Sequence, residues 1–503
     1  MTTSTGAALR RIDGPLLALI FAAALGLGLL SYRDRDRGPQ IHDELAYVFQ
    51  ARLLLGGHLS APSPPLPEFF EAAHLLVVPR FASKYLPGHA LALAPFVALG
   101  APWLWPVLAL GLAVCALYLS LRWSGVEPGF AAGGALLFLC SSSVTRAWLT
   151  LLSHSTAALC VALALAAAAR LRRQRPSIGL AVLLAAAAGQ ALLTRPFAGV
   201  ALFAAAGLAV AIFASFRHLL AFAATAAAAG AAVLLCCQAV TGRPLETPWT
   251  LYARQYMPFD GPGIGKVVAP PPERTLPPHL EPLATSFRFS RELHTRLRLG
   301  MAISRRSTQL LNFSPSVLLV PLALFAASAG PAAVVAAAFI AAFFGLQLLF
   351  HASSWYYLLE AWPALAFLIA AGAARLASLC AGWPRYLRFA ARSWLALAAV
   401  HALANVLEDR AGLYGPWLGT GPLVAQTEAL LEPVRQARGL VFLRYPKGWD
   451  ANVDLTYNDP DLERATIVRA LDLGERNPEL RRRFPSRPAF LLDLGTKTLL
   501  KLP

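Results

Sequence analysis

The sequence predicts an α-helical polytopic membrane protein with about eleven transmembrane helices, large loops on the outer face and a small C-terminal α/β domain. Of its 503 residues, 57% are hydrophobic and only 14% are charged, whereas a soluble domain carries about 25% charged residues. Long apolar runs recur along the chain, and a helix needs roughly 20 apolar residues to cross the hydrocarbon layer. Basic residues separate these runs, so a single apolar soluble core does not explain the pattern.

The formal net charge is +17, from 44 Lys and Arg against 27 Asp and Glu. In a soluble protein this excess would suggest a nucleic-acid partner. Here much of it stands beside apolar runs, as in RLRRQRP at 170–176. The positive-inside rule and anionic headgroups explain that placement more simply, so we expect membrane lipids and no nucleic acid as partners.

The transmembrane domain is predicted over residues 1–408. Its apolar runs lie at 14–31, 103–121, 129–147, 152–170, 178–194, 197–215, 219–240, 313–328, 331–350, 355–374 and 393–408. The first run lacks a clean signal-peptidase site, so we interpret it as an uncleaved helix. The segment at 88–102 is short and interrupted by proline, which indicates an interfacial or re-entrant helix.

The distribution of arginine predicts the orientation of the chain. With the N-terminus inside, the inner turns hold the arginines at 122, 170–175, 217 and 375–392. The short outer turns then hold only Arg146 and Arg195. The charge rule therefore predicts an integral membrane protein with the N-terminus inside and the C-terminal domain outside.

Three polar regions then face outward. They are a first outer loop at 32–102, a second at 241–312 and a tail at 409–503. The tail contains short strand-like runs bounded by turn residues, at 439–445, 465–471 and 489–495. We therefore predict that residues 409–503 form a small soluble α/β domain.

An acid pair, Asp43-Glu44, stands in HDELAY just beyond the first apolar run, with His42 as a further candidate beside it. Apolar residues at helical spacing follow the pair, so we expect a short helix on the membrane surface that begins at the pair. The dipole of this helix would favour carboxylates at its N-terminus. A carboxylate there can also take a proton from an alcohol that attacks a lipid-linked donor. The pair could hold a divalent cation such as Mg²⁺ or Mn²⁺, although one acid pair is a weak metal signal.

Five further residues are candidates for binding or catalysis. Lys84 and Arg80 can each reach a donor phosphate, or simply contact lipid phosphates in general. Arg195, in LTRPF, has a fork that suits phosphate, or it holds two helix ends as a turn residue. Glu360 lies inside an apolar run, where burial of an ionised acid costs free energy and often indicates a functional site. Alternatively, it pairs with an arginine. Tyr356 lies at the outer interface, where Tyr anchors helices.

In their order along the chain, these motifs resemble the GT-C superfamily of integral-membrane glycosyltransferases. This superfamily includes the protein O-mannosyltransferases and the aminoarabinose transferases that modify lipid A. The resemblance lies in HDELAY at 42–47, in SKYLPGHALALAPFVALG at 83–100, and in the segments at 152–170, 192–200 and 353–372. It implies transfer of a sugar from a polyprenyl-phosphate donor to a lipid, glycan or protein acceptor on the outer face.

The resemblance also implies roles for residues. The acid of the first loop is the expected general base, which is Asp43 here, with Glu44 second. In relatives a Lys near the second helix contacts the donor phosphate, and Lys84 matches it. Relatives often have an acid just before that Lys, whereas this chain has Ser83. The substitutes for it in the same loop are Glu68 and Glu71.

The sequence therefore predicts an inverting transferase in which Asp43 removes the acceptor proton and Lys84, with Arg195, stabilises the leaving phosphate. The main rival is a transporter or lipid flippase of envelope polysaccharide assembly, but such proteins place acids near the bilayer midplane and often show repeated halves. A third hypothesis is a non-catalytic assembly protein with the tail as its binding module. We expect His74 and His89 to be structural.

Overall fold

The computed structural model of the chain describes residues 11–33, 37–141, 146–172, 177–264, 269–352, 354, 356–413 and 421–503. Its α-helices are α1 (Asp13–Ser31), α2 (His42–Leu55), α3 (Gly88–Ala98), α4 (Leu104–Trp123), α5 (Pro128–Leu139), α6 (His154–Ala169), α7 (Ile178–Thr194), α8 (Pro196–Phe213), α9 (Phe216–Thr241), α10 (Pro248–Tyr256), α11 (Glu281–Arg296), α12 (Leu299–Leu311), α13 (Pro331–Gln347), α14 (Trp362–Cys380), α15 (Arg385–Leu413), α16 (Gly421–Leu430), α17 (Glu432–Gln436) and α18 (Asn477–Arg481). Its strands are β1 (Ala61–Pro62), β2 (Leu75–Leu76), β3 (Arg80–Ser83), β4 (Leu440–Arg444), β5 (Val468–Leu471), β6 (Ala489–Asp493) and β7 (Thr498–Lys501). Among the arginines assigned to inner turns, Arg173 and Arg175 lie outside the described residues.

Shorter 3₁₀ helices connect some of these elements. They are Pro67–Phe70, Arg170–Arg172, Pro278–Leu280, Val317–Ala329, Leu359–Ala361 and Gly474–Arg476. By their contacts, the described residues form two compact units. The first unit draws on Met1–Asp34, Trp103–Ala231 and Leu297–Gly415, and the second on Arg35–Pro102, Ala232–Arg296 and Pro416–Pro503. The second unit therefore combines most of the three polar regions that the sequence prediction kept separate.

Membrane-length helices are present, as the sequence predicts. Among the described residues, the helices long and apolar enough to cross a membrane are Asp13–Ser31, Leu104–Trp123, Pro196–Phe213, Phe216–Thr241 and Leu359–Cys380. The shorter apolar helices are Gly88–Ala98, Pro128–Leu139, His154–Ala169, Ile178–Thr194, Val317–Ala326 and Pro331–Gln347. The chain is thus a polytopic helical membrane protein, while the count of eleven spans and the orientation stay predictions.

Helix bounds depart from the apolar runs where the sequence contains a breaker or a longer helical pattern. The run at 313–328 contains Pro321, which lacks an N–H donor, and it forms the 3₁₀ segment Val317–Ala329 instead of an α-helix. The run at 393–408 lies within a longer helix, α15. Proline also falls inside α3, whose 11 residues are too few to span a bilayer.

Two close contacts hold the first unit together. Asp13, at the start of α1, is 1% exposed and accepts hydrogen bonds from Tyr118 Oη at 2.5 Å and from Arg122 Nε at 2.7 Å. Both donors lie on α4, so this buried ion pair fixes α1 against α4. Gly372 of α14 lies so near the 3₁₀ segment that a Cβ atom there would be 1.8 Å from the carbonyl oxygen of Leu322.

The second unit contains two small sheets. The first has the order β1-β3-β2 and is antiparallel. The second has the order β5-β4-β6-β7, in which β5, β4 and β6 are parallel and β7 is antiparallel to β6. The three strand-like runs of the tail, at 439–445, 465–471 and 489–495, contain β4, β5 and β6. The sequence prediction missed β7. A separate soluble domain on the outer face stays a prediction.

Helix α2 packs against the second of these sheets. Its residues Ala46, Phe49 and Leu53 share a hydrophobic core with Phe442 of β4 and Val468 of β5. Protein therefore covers the apolar face of this helix, while its location on the membrane surface stays a prediction. Helical periodicity indicates an apolar face but does not say what covers that face.

Candidate active site

The predicted acid pair lies in the first turn of α2, and its two carboxylates have different partners. Glu44 is 2% exposed and accepts a hydrogen bond from the backbone N–H of Gln40, two residues before the helix begins, at 2.5 Å. The Asp43 side chain is 28% exposed and faces a group of rings. Asp43 is therefore the acid placed to meet a substrate, and Glu44 stabilises the start of its own helix.

Three side chains contact the Asp43 carboxylate. Tyr85 Oη donates a hydrogen bond to Oδ1. His42 Nδ1 lies 2.8 Å and His74 Nε2 lies 3.5 Å from Oδ2. Burial raises the pKa of Asp43, but the rings of His74 and His42 lower it more, so that the pKa lies well below its ordinary value. The carboxylate is therefore ionised at neutral pH. We call His42, Asp43, His74, Lys84 and Tyr85 the Asp43 cluster.

Strand pairing brings His74 into this cluster. In the antiparallel pair of β2 and β3, Leu75 lies opposite Ser83, and the N–H of Lys84 donates to the carbonyl of His74 at 3.0 Å. The same register therefore places His74 and Lys84 side by side. The sequence prediction treated His74 as structural, because no local spacing links it to Asp43. Its only sequence signal is that it is one of four histidines in the loop that carries the acid pair.

The two imidazoles of the cluster are buried. His42 and His74 are 4% and 1% exposed, and their ring centroids are 4.4 Å apart. Burial lowers the pKa of His74, as does the nearby Lys84, to about 3, although Asp43 opposes this. His74 is therefore neutral at physiological pH. His42 Nε2 and His74 Nδ1 are buried and have no hydrogen-bond partner among the described residues.

Lys84 is a buried cation in the same cluster. It is 4% exposed, and its Nζ lies 5.0 Å from the ring centroid of Tyr252 and 5.3 Å from that of Tyr85. Burial lowers the pKa of Lys84, and attraction from Asp260 and Asp43 partly offsets this. No ion pair within 4.0 Å joins Lys84 to another described residue. A buried ammonium without such a pair is costly, and a bound anion would relieve that cost.

The other candidates of the first loop lie in different surroundings. Arg80 is exposed at the far end of β3, about 13 Å of strand before Lys84 at ~3.3 Å per residue, and its Nε donates to Ser60 Oγ at 3.1 Å. His89 is fully buried with its ring edge-on to Tyr47. The two acids considered as substitutes are both in ion pairs, Glu68 with Arg476 and Glu71 with Arg274.

A second polar cluster lies in the first unit. Glu360 is 0% exposed, and its Oε1 lies 2.5 Å from Arg195 Nε and 2.9 Å from His154 Nδ1. Tyr356 packs edge-on against His154, with ring centroids 5.1 Å apart. Of the alternatives for Glu360, the structure contains the pairing with an arginine. We call His154, Arg195 and Glu360 the Glu360 cluster.

Three residues of the Asp43 cluster could hold a metal ion. His42, Asp43 and His74 each offer one ligand atom, and these atoms lie within 4.8 Å of one another. This set differs from the predicted pair of Asp43 and Glu44, because the Glu44 carboxylate binds the backbone of Gln40. Two imidazoles with one carboxylate suit Zn²⁺ or another transition metal better than Mg²⁺.

The fold is similar to that of known transferases. ArnT from Cupriavidus metallidurans bound to undecaprenyl phosphate matches with a TM-score of 0.55 and 14% identity over 96% of this chain and 90% of that chain. The same protein in the apo state matches with a TM-score of 0.55 and 16% identity, over 95% of this chain and 93% of that chain. Arabinofuranosyltransferase AftD from mycobacteria matches with a TM-score of 0.51 and 16% identity, over 92% of this chain but only 32% of that chain.

ArnT and AftD are GT-C superfamily glycosyltransferases, so the predicted resemblance to GT-C proteins is confirmed for the fold. Identities of 14% and 16% carry no information about substrate. No family model matches the chain, and no curated protein matches it.

Proposed function

We propose that this chain is an integral-membrane glycosyltransferase of the bacterial cytoplasmic membrane. It would move a sugar from a polyprenyl-phosphate donor to a lipid, glycan or protein acceptor on the outer face. The observation that carries the proposal is the Asp43 cluster, where an ionised, partly exposed carboxylate stands near a buried lysine. The GT-C-like fold supports it, and one structure with that fold, ArnT, is bound to undecaprenyl phosphate.

Asp43 is the proposed general base. The acceptor hydroxyl would give its proton to the Asp43 carboxylate while its oxygen attacks the anomeric carbon of the donor sugar. The bond from that carbon to the phosphate oxygen then breaks, and attack from the opposite face inverts the configuration. A carboxylate with a lowered pKa is a weak base, so we expect proton transfer late, once the attacking oxygen has gained positive charge.

Lys84 is the proposed counter-charge for the leaving phosphate. Negative charge builds on the phosphate oxygen as the glycosidic bond breaks, and a fixed cation in a site shielded from water stabilises that charge strongly. Lys84 is already desolvated, so no water has to leave its ammonium group during the reaction. Arg80 and Arg195 stay proposed phosphate ligands from the sequence alone, and Arg195 also neutralises Glu360.

A divalent cation is a further proposal for this site. His42, Asp43 and His74 would hold it, since their ligand atoms are close and two imidazole nitrogens have no other described partner. The ion would supply positive charge to the donor phosphate. Dialysis against a chelator, followed by addition of Zn²⁺, Mn²⁺ or Mg²⁺, tests whether transfer depends on an ion and on which one.

The main rival is a transporter or flippase of a lipid-linked sugar, which would bind the same donor and break no bond. The experiment uses the full-length protein in proteoliposomes with a polyprenyl-phosphate sugar radiolabelled in the sugar, and with acceptors extracted from the envelope. A transferase releases polyprenyl phosphate and labels the acceptor. A flippase moves intact donor across the bilayer and labels nothing, which would contradict the proposal.

The sugar and the acceptor need a separate measurement. Mass analysis of the envelope glycans and lipid-linked sugars in a deletion strain would show a donor that accumulates and a product that is lost. If the deletion changes neither pool, the proposed activity has no substrate in that envelope.

A further inference from the structure

A short stretch of the C-terminal segment contacts the backbone on both sides of the Asp43 cluster. Tyr457 Oη donates to the carbonyl oxygen of His42 at 2.9 Å and also contacts the carbonyl oxygen of Ala73. Asp454 Oδ2 accepts a hydrogen bond from the backbone N–H of Ala73 at 2.7 Å. Tyr457 thus contacts the peptide groups that directly precede Asp43 and His74, which come from different parts of the first loop. Asp454 binds the peptide group one position earlier, between Ala72 and Ala73.

The peptide groups that these side chains bind are ones the sheet does not satisfy. Strand β2 begins only at Leu75, so the N–H and carbonyl of Ala73 lie outside its ladder. Buried peptide groups need partners, and here side chains supply them. Tyr457 has one hydrogen to donate and stands between two carbonyl oxygens, so it links the start of α2 to the loop before β2.

His74 has a backbone conformation that needs such support. Its φ is +62°, in the left-handed region that non-glycine residues adopt at a cost. Its own N–H donates to Tyr252 Oη at 3.1 Å, and its carbonyl accepts from Lys84. A strained residue keeps its conformation only where the surroundings determine it closely. Here Tyr252 and Tyr457 contact the peptide group between Ala73 and His74, and Asp454 contacts the one before it. These contacts determine the conformation of His74.

Asp454 is itself held firmly. It is 1% exposed, and its Oδ1 accepts the N–H of Thr456 at 2.9 Å and lies 3.6 Å from His279 Nε2. Burial raises the pKa of Asp454, but His279 and the N–H groups of Ala73 and Thr456 lower it more. The carboxylate is therefore an ionised acceptor for the Ala73 peptide, and such charge-assisted hydrogen bonds are the strong ones.

From these contacts we propose that Asp454 and Tyr457 are positioning residues of the candidate active site. They fix the Ala73 peptide and the first turn of α2, so that the rings of His42 and His74 face the Asp43 carboxylate. Their effect on transfer rests on the proposed function. Their effect on the geometry of the loop does not, and the C-terminal segment is on this account a part of the site and not an appended binding module.

Simple core packing is the competing explanation, because the Tyr457 ring also belongs to the hydrophobic core under α2. Tyr457→Phe separates the two, since it keeps the ring and removes the hydroxyl. Asp454→Ala is the second variant, since it removes the acceptor of the Ala73 N–H. Tyr386→Phe is the matched control, because it removes the same atom from a residue that is 69% exposed on α15.

The test combines hydrogen–deuterium exchange with kinetics on the full-length protein in nanodiscs. For Tyr457→Phe we expect exchange at residues 42–46 and 72–76 to rise about fivefold or more while other segments are unchanged. We expect kcat for sugar transfer to fall about tenfold to a hundredfold with KM for the donor within about twofold, because misplaced groups chiefly affect the reacting geometry. Asp454→Ala should act in the same direction, and Tyr386→Phe should change neither quantity.

Unchanged exchange in both segments for Tyr457→Phe and Asp454→Ala would overturn the proposal. Faster exchange throughout the second unit would also overturn it, since that is the result of lost core packing. If Asp43→Asn keeps full transfer while Tyr457→Phe still loosens these two segments, the proposed function fails and the positioning contact stands.

Discussion

The Asp43 cluster and the Glu360 cluster both bury charge, but they balance it differently. In the Glu360 cluster a fully buried carboxylate oxygen lies within 2.9 Å of both an arginine and a histidine nitrogen. In the Asp43 cluster, Lys84 has no ion pair with another described residue. Glu360 has ion-pair partners at Oε1, although its buried Oε2 has no hydrogen-bond partner among the described residues. A buried charge with an ion-pair partner helps to hold helices together, whereas a buried cation without one favours a ligand that supplies the missing charge.

Glu360→Ala should give the largest change in stability. It leaves the buried His154 and the partly exposed Arg195 without their common partner, and breaking a buried pair in this way costs about 3–5 kcal/mol. Thermal and denaturant unfolding in detergent micelles would measure the loss. Glu360→Gln is the comparison, because it keeps the shape and one acceptor oxygen and should lose less. A change below about 1 kcal/mol in Glu360→Ala would mean that this cluster does not fix the helices.

Lys84→Met should instead keep the stability of the protein and reduce sugar transfer. Methionine has a similar length and removes a buried charge that no described residue pairs, so stability should stay equal or rise. Transfer should fall at least about a hundredfold, which is about 2.7 kcal/mol of transition-state stabilisation. Arg80→Met tests the exposed candidate at the start of β3, the strand that precedes Lys84, and we expect a much smaller loss. Equal losses of transfer in Lys84→Met and Arg80→Met would contradict the proposal that Lys84 is the counter-charge for the leaving phosphate.

Gly372→Ala tests the packing of the first unit without touching a charge. A Cβ atom there would be 1.8 Å from a backbone oxygen, so α14 or the 3₁₀ segment must shift. We expect a loss of about 1–3 kcal/mol in unfolding experiments. Gly133→Ala in α5 is the matched control, because no atom lies within 4 Å of its added Cβ. It should be neutral or gain up to about 1 kcal/mol from helix propensity.

Acid should destabilise the second unit by a smaller amount through Asp472. Burial raises the pKa of this residue, but Asn477, Arg444 and the N–H of Gly474 lower it more, so the folded pKa lies below the ordinary 3.8. A carboxyl group with a lowered pKa contributes stability above the unfolded pKa and loses it as the pH falls through the folded value. The free energy of unfolding should therefore fall as the pH drops below about 4, through the folded pKa of Asp472.

Asp472→Asn checks the assignment of that acid transition. The variant should be less stable than the parent at pH 7, and the difference should shrink as the pH falls, since the parent loses the same ionised acceptor. An unchanged difference between the two proteins across that range would place the acid transition elsewhere.

Local patterns predicted the helices well where the pattern itself determines the structure. The runs at 14–31, 103–121 and 178–194 became helices with bounds within about two residues, because apolar length and helix geometry decide them. The run at 313–328 did not, since Pro321 favours a 3₁₀ segment. The apolar patterns also did not predict that Leu53 of α2 packs against a sheet of the C-terminal segment.

The candidate site was predictable only in part. Asp43 and Lys84 were identified from motif order, and the structure places them in one cluster. His74 and Tyr85 were missed as partners of Asp43, because the pairing of β2 with β3 and the fold of α2 bring them together. The role of Tyr457 could not be predicted for the same reason, since its hydroxyl contacts the carbonyl oxygen of His42, which lies 415 positions away in the sequence.

The central claim is that the Asp43 carboxylate takes part in the chemical step. Single-turnover transfer from a labelled polyprenyl-phosphate sugar, with Asp43→Asn beside Glu44→Gln, tests it most directly. Removal of a general base should slow the step by about 10²- to 10⁴-fold, while donor binding persists and Glu44→Gln, which keeps an acceptor for the Gln40 N–H, loses far less. A normally inserted Asp43→Asn protein that transfers sugar at the parent rate would contradict the account.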